Sequence, residues 1–299
     1  MLQATIKQLR YFDAVARHSH FGRAAAACAI SQPALSMQIK ELEAVLGAVL
    51  VERGARLVRL TRFGEDAARR VREILRSVDE LGDFARASRD RLTGRLRIGM
   101  IPTIAPYLLP NVIASLNRTH PELDIHVREG LTSRLIEELA EGRLDTAILA
   151  LPVSEPALAE IPLFAESFLL VRPAADAAAP VPGPAALREM KLLLLEEGHC
   201  FRDQALAFCD IESTQPREVM DASTLSTLVQ MVGAGLGVTL IPEMAVALET
   251  RSAEVAVARF ADPQPTRTVG MVWRKASPLV GPFLQLSEAV AAAVERKKR

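Results

Sequence analysis

The sequence predicts a multidomain α/β protein: a small helical N-terminal module, one long helix, and a C-terminal α/β body in two parts. Three observations carry this. Residues 1–61 hold short amphipathic stretches divided by turn residues. Residues 62–93 repeat apolar positions every third or fourth residue. From Gly94 onward, strand-like and helix-like segments alternate. The chain of 299 residues is long enough for two domains or more, and 49% hydrophobic with 24% charged residues describes a packed core rather than a disordered chain.

In the N-terminal module, Ile6–His18 carries Ile6, Leu9, Tyr11, Phe12 and Val15 near helical spacing. Arg23–Cys28 is mostly alanine, the strongest helix former. Ala29 and Ile30 break that helix. Ser31 is then a good N-cap, and Pro33 falls in the first turn, where its missing N–H costs nothing. The helix it opens, roughly Gln32–Leu46, puts Leu35, Ile39, Leu42, Val45 and Leu46 on one face, and Gly47 ends it. Val49–Val51 and Leu57–Leu60 flank Gly54 and read as a hairpin. Residues 21–46 therefore form a helix, a short turn and a capped helix. That is a helix-turn-helix, whose second helix enters the major groove of DNA. Its opening residues Ser31, Gln32, Pro33, Ala34, Ser36, Gln38 and Lys40 offer small side chains for close approach and polar groups for bases or phosphates. Arg53, Arg56 and Arg59 on the hairpin suit the phosphate backbone. Charge agrees: residues 1–95 hold 17 Lys and Arg against 11 Asp and Glu, while the remainder holds 19 against 25. A basic amino-terminal piece on an acidic body points to an anionic partner for that piece alone.

Thr61 caps the long helix that follows. In it Ala67, Val71, Ile74, Val78, Leu81 and Ala85 form a heptad seam, so Val71, Ile74, Val78 and Leu81 are the expected dimerisation residues. The body begins with the strand Leu96–Met100, then the helix Tyr107–Thr119, the strand Asp124–Glu129, the helix Thr132–Gly142 and the strand Asp145–Ala150. This is the rhythm of an open, mostly parallel sheet. It restarts at Lys191–Leu195 and continues through a helix, Ser223–Gly235 and Gly237–Ile241. Two Rossmann-like subdomains follow: subdomain I over 94–167 and 268–299, and subdomain II over 168–267. Phe168–Pro173 and a segment near Thr266–Val269 are the crossovers, and Val269–Trp273 with Pro282–Lys297 returns to subdomain I. Ala174–Pro184 reads as a surface loop.

Three cysteines complete the chemistry. Cys28 lies among small residues and reads as an inert, packed thiol. Cys200 stands where the helix Phe201–Phe208 begins, flanked by His199 and Arg202, and a helix N-terminus with basic neighbours favours the thiolate. From spacing alone, Cys200 and Cys209 are equally two core cysteines or a reactive pair.

The stretch FGRAAAACAISQPALSMQIKELEAVLGAVLVERGARLVRLTRFG at 21–64 resembles the winged helix-turn-helix of LysR-type regulators. It shares Ala24, Ala25, the run Ser31–Ser36, Ile39, Leu42, Glu43, Leu46, Gly47, Leu50, Arg53 and the step from Leu60 and Thr61 to Gly64. The resemblance spans nearly the whole chain. It implies a linker helix used for dimerisation and an effector body like that of periplasmic binding proteins. LLLLEEGHCFRDQALAFC at 192–209 is similar to the redox segment of the peroxide-sensing, thiol-switched branch of that family, and IGMIPTIAPYLLP at 98–110 and GLTSRLIEELAEGRLD at 130–145 agree. By this resemblance Cys200 is the peroxidatic thiol and Cys209 the resolving one, while Thr103, Thr132, His199 and Arg202 hold the peroxide. Phe201 replaces a leucine of the motif, and Ser133 replaces a histidine of the pocket lining.

A helix through this segment separates the two cysteines by roughly 13 Å at about 1.5 Å per residue. A disulfide needs Cα atoms within about 7 Å. Bonding therefore requires local remodelling, which is the bistable element of a switch. The expected function is a hydrogen-peroxide-sensing transcription regulator of oxidative-stress genes, not an enzyme, with peroxide as signal and no metal or cofactor. Expected partners are a double-stranded DNA operator, further copies in a homotetramer built as two dimers, RNA polymerase, and a cellular disulfide reductant. The absence of a signal peptide and of apolar runs near roughly 18 residues predicts a cytoplasmic chain with no membrane partner. The alternative is a LysR-type regulator answering a small molecule in the inter-subdomain cleft. A thiol peroxidase would leave residues 1–60 unexplained, and a solute-binding transport protein would carry a signal peptide.

Overall fold

A computed structural model describes residues 3–52, 58–87, 92–209 and 221–298. Two compact units emerge, Met1–Ala85 and Arg86–Arg299. The first holds α1 (Ile6–His18), α2 (Phe21–Ala27), α3 (Gln32–Leu46) and α4 (Arg62–Ala87). Local hydrogen bonds set these boundaries. Thr5 and Gln8 form a reciprocal capping box that starts α1. Ser31 Oγ accepts from Ala34 N at 3.3 Å and starts α3, as its cap chemistry predicts. Phe12, Val15, Leu35, Leu42 and Leu50 are the buried centre. The Glu43 carboxylate is buried, and its Oε1 accepts from Leu50 N (2.8 Å) and Val51 N (3.3 Å), pinning the strand that follows to the end of α3. Val51 and Leu60 bridge antiparallel, as the expected hairpin requires, though its tip at 53–57, with Gly54, lies outside the described residues. Gly64 packs so closely on this strand that a Cβ there would lie 2.1 Å from the Leu50 carbonyl oxygen.

The seam on α4 is divided. Val71 is buried in the module's own core, with Ala68 beside it. This corrects its expected place facing a partner helix: the first turns of α4 complete the core that α1 and α3 leave open. Ile74, Val78 and Leu81 are exposed.

The second unit comprises β1 (Gly94–Met100), α5 (Ala105–Thr119), β2 (Leu123–Glu129), α6 (Thr132–Ala140), β3 (Thr146–Leu151), β4 (Leu158–Pro173), α7 (Pro184–Glu189), β5 (Leu194–Leu195), α8 (Cys200–Phe208), β6 (Asp221–Ala222), α9 (Leu225–Gly233), β7 (Thr239–Pro242), α10 (Val246–Glu249), β8 (Val255–Ala258), β9 (Thr266–Arg274) and α11 (Val280–Lys298). The main sheet runs β2-β1-β3-β9-β4-β7, with β8 paired to β4. β1 is parallel to β2 and β3, but β9 is antiparallel to β3 and β4, and β4 is antiparallel to β7 and β8. The sheet is thus mixed, where the βαβ rhythm predicts a mostly parallel one. The cause is β4, a strand of 16 residues that serves both halves of the body. Its register shifts between Pro162 and Phe164, which breaks the alternation a strand shows in sequence. β9 returns to the first half between β3 and β4, as expected. Two hydrophobic cores result. One gathers around Ile98, Met100, Ile148, Val269 and Phe283, the other around Phe168, Leu193, Leu195, Val229 and Ile241. Among the described residues, no helix is long and apolar enough to cross a membrane.

Candidate redox site and nucleic-acid interface

On α3, Ser31, Gln32, Pro33 and Lys40 are exposed, with Ala34, Ser36 and Gln38 half-buried beside them. Gln38 Nε2 donates to Glu41 Oε2 at 2.8 Å, which orders its amide on the outer face. Met37 lies among them and is 55% exposed, an apolar group of the kind that meets thymine methyls. Arg53 and Arg56 lie outside the described residues, and Arg59 is exposed.

The second site sits where three strands end. Thr103 follows β1, Thr132 opens α6 just after β2, and the turn Glu196–His199 links β5 to α8. The carboxyl ends of parallel strands are where open α/β sheets gather functional groups. Gly198 takes φ +92° in that turn, a left-handed conformation that suits glycine, and a Cβ there would meet Leu131 Cδ1 at 3.0 Å. Ile101, Thr103, Leu131, Thr132, His199 and Cys200 line one niche, packed closely enough to leave no void for a water-sized molecule.

Cys200 is the first residue of α8, and Cys209 caps its far end, fully buried in the second core. The two are not disulfide-bonded. The Thr132 hydroxyl is buried, lines the niche together with Cys200, and has no hydrogen-bond partner among the described residues. Thr103 is held by a residue that sequence reasoning leaves out of the site. Arg267 Nη1 donates to Thr103 Oγ1 at 2.8 Å, and Nη2 donates to the Thr103 carbonyl oxygen at 3.0 Å. Arg267 is fully buried and pairs with buried Glu166, and its guanidinium also lies 5.7 Å from the Phe201 ring centroid. The sequence does carry a signal for it: Arg267 shares a strand face with Val269 and Met271, and a charge on an apolar face must have a buried partner.

The thiol's electrostatics correct the sequence reading. Burial pushes the Cys200 pKa up. The neighbouring Thr132 hydroxyl, the Arg267 charge and the Phe201 N–H oppose that rise, and Asp203 adds to it. A helix start flanked by basic residues predicts the opposite direction, but desolvation is the largest cause here. Cys28 is raised too, by burial and by Asp13. His199 is lowered by burial, which keeps its imidazole neutral. Arg202 is engaged at the small sheet, donating to the Leu195 carbonyl at 2.8 Å with Asp221 at 3.9 Å. A neighbouring cavity of about 360 Å³ in the cleft takes in Thr103, His199, Ser226 and Glu249.

A helix-turn-helix module with an α/β effector body defines a class, and comparison with known proteins agrees. Residues 6–65 match the bacterial regulatory helix-turn-helix protein, lysR family, and residues 89–294 match the LysR substrate binding domain. The chain is 44% identical to a probable hydrogen peroxide-inducible genes activator of Streptomyces viridosporus, covering 98% of this chain and 95% of that protein. It is 42% identical to the DNA-binding transcriptional dual regulator OxyR of Escherichia coli, covering 97% and 96%. Among solved structures, a full-length OxyR from Pseudomonas aeruginosa, carrying aspartate in place of one cysteine, superposes with TM-score 0.75 at 36% identity over 96% of this chain and 97% of that one. A hydrogen peroxide-bound OxyR of Corynebacterium glutamicum, a cysteine-to-serine mutant, gives 0.68 at 36% identity, over 98% and 93%. The chain belongs to the LysR family of bacterial transcription regulators and, within it, to the OxyR group.

Proposed function

We propose that this regulator senses hydrogen peroxide at Cys200 and converts it into a Cys200–Cys209 disulfide that changes how α3 sits on operator DNA. The observation that carries the reading is the niche itself: a thiol at a helix start, lined by a buried Thr132 hydroxyl unpartnered among the described residues and by a Thr103 that a buried arginine orients. The Cys200 thiolate attacks one peroxide oxygen, the O–O bond breaks, and the departing hydroxide takes up a proton as water. Cys200 is left as a sulfenic acid. The Cys209 thiolate then attacks that sulfur, the S–O bond breaks, and a second water leaves. Two thiols lose two electrons and one peroxide becomes two waters.

The niche is closed to a water-sized molecule as it stands, so peroxide enters from the adjoining cavity that Thr103 and His199 also line. Positioning by Thr103, Thr132 and neutral His199 then offsets the thiolate population that burial suppresses. Arg202 acts further out, steadying the turn before α8 through Leu195. Closure of the disulfide unwinds α8, whose Phe201, Ala205 and Leu206 pack in the second core, so the body's surface changes. That change passes to a homotetramer built as two dimers through the exposed Ile74, Val78 and Leu81. Contact with RNA polymerase gives activation, and a cytoplasmic disulfide reductant resets the switch. Ser31, Gln32, Pro33, Ala34, Ser36, Gln38, Lys40 and Arg53 make the DNA contacts.

The test is a DNA footprint of reduced and peroxide-treated protein. The wild type shifts its footprint, Cys200→Ser keeps the reduced footprint in both states, and Cys209→Ser is oxidised but stalls before the disulfide. A Cys200→Ser chain that still shifts defeats the reading. The cavity of about 360 Å³ favours a second reading, a small polar effector in the cleft, since sites for small ligands fall in that size range. A footprint indifferent to dithiothreitol and peroxide would select it.

A further inference from the structure

Arg267 has no freedom of pose. Its Nε and Nη2 both donate to Glu166 Oε2, at 2.9 and 2.8 Å, while Nη1 and Nη2 reach the Thr103 hydroxyl and carbonyl. The other Glu166 oxygen, Oε1, accepts from the Met244 N–H at 2.8 Å. This second anchor matters because Glu166 also borders a cavity of about 420 Å³, into which an unanchored carboxylate could turn. Phe201 closes the remaining side, its ring against the guanidinium and edge-on to Phe168 at 4.9 Å.

We propose that Glu166 is a positioning residue for the peroxide step: it clamps Arg267 against Thr103 in one orientation and balances part of its charge beside the Cys200 sulfur. The inference rests on the peroxide reading above. An arginine whose fork is tied to a carboxylate presents its remaining donors in a fixed direction. Here the remaining prong orients the Thr103 hydroxyl towards the niche. The same carboxylate sets how much uncompensated positive charge the thiol feels.

Arg267 and Asp203 are the charged groups that act on the Cys200 thiol, and the other charged and titratable groups of the packed elements surround these or the turn before α8. Arg267 comes from β9, Glu166 from β4 and Tyr107 from α5. Asp203 and Arg202 lie on α8 itself, and His199 with Glu196 on the preceding turn. Of these, Arg267 is the cation that favours the thiolate. Removing the charge of Glu166 while keeping its shape leaves that cation less compensated. Shortening the side chain while keeping the charge instead loosens the clamp.

The experiment is alkylation of Cys200 by iodoacetamide across a pH series, and its oxidation by hydrogen peroxide at a pH where the thiol is ionised, in the full chain. Glu166→Gln should move the alkylation midpoint to lower pH, and each unit of that shift raises the thiolate fraction below the midpoint about tenfold. Glu166→Asp should keep the midpoint and lower the peroxide rate at full ionisation. A purely structural Glu166 would change melting and leave both readouts where they are. An unmoved or alkaline midpoint in Glu166→Gln overturns the proposal, as does a wild-type peroxide rate in Glu166→Asp. If Glu166→Gln does not fold, Glu166→Asp decides alone. A wild-type chain that peroxide leaves unoxidised at Cys200 sinks the peroxide reading and this proposal with it. A reactive wild type beside a Glu166→Gln chain with an unmoved midpoint sinks this proposal alone.

Discussion

The helix-turn-helix module and the redox niche are built in opposite ways. In the module, the polar contacts that place functional groups are short-range: Thr5 with Gln8, Ser31 with Ala34, Glu43 with Leu50 and Val51. In the niche they are long-range: Arg267 joins Glu166 across 101 residues and Thr103 across 164. The module turns its polar groups outward to meet a partner, while the niche turns them inward and surrounds them with protein. A surface that reads DNA needs only a correctly capped helix. A thiol that must meet peroxide selectively needs several elements to converge, so its chemistry reports on the tertiary state of the whole body. That dependence is what makes the niche usable as a switch.

The contrast can be broken from either side. The largest effect is expected in the niche. Arg267→Met strands the Glu166 carboxylate, buried and unpaired, and should cost about 3–5 kcal/mol of the body's stability, read by denaturant unfolding. A loss under about 1 kcal/mol would mean that the pair is not a structural centre. Gly64→Ala should cost the module about 2–3 kcal/mol, because the new Cβ must displace the Leu50 carbonyl. Its unfolding should change while the thermal transition of the body stays. Ser31→Ala removes one local bond and should cost about 1 kcal/mol, with DNA affinity falling in parallel. The smallest effect is in the pH dependence of Cys200. Its pKa is raised by burial, so the thiolate appears later than in an exposed cysteine. Alkylation should keep rising with pH beyond the point where a free cysteine levels off. A plateau at lower pH than free cysteine would restore the reading in which the helix start and basic neighbours prevail.

The same division governs what the sequence reveals. Ser31, Gly47 and the apolar face of α3 are legible because capping and helical periodicity act over a few residues. Cys200 at the start of α8 is legible for the same reason. Arg267 is legible only as a charge in line with an apolar strand face: the expected strand begins at Val269 and leaves it in a crossover, and nothing in a linear reading brings it to Thr103. The direction of the Cys200 pKa is misread from sequence because flanking residues announce charge, whereas burial is a property of the assembled niche. Val71 fits a heptad seam as well as it fits a core, and only the packed module shows which one it serves. β4 is not legible as a strand: its end, Phe168–Pro173, reads as a crossover, and Pro162 with the adjacent register shift interrupts the alternation before it.

The most direct test of the account combines non-reducing peptide mapping with amide hydrogen exchange over Phe201–Phe208 before and after one equivalent of hydrogen peroxide. The account predicts a Cys200–Cys209 linkage together with a loss of protection along α8, because nine residues of helix hold the cysteines roughly 13 Å apart until it unwinds. A linked pair with α8 still protected, or an oxidised Cys200 that never links to Cys209, would contradict it.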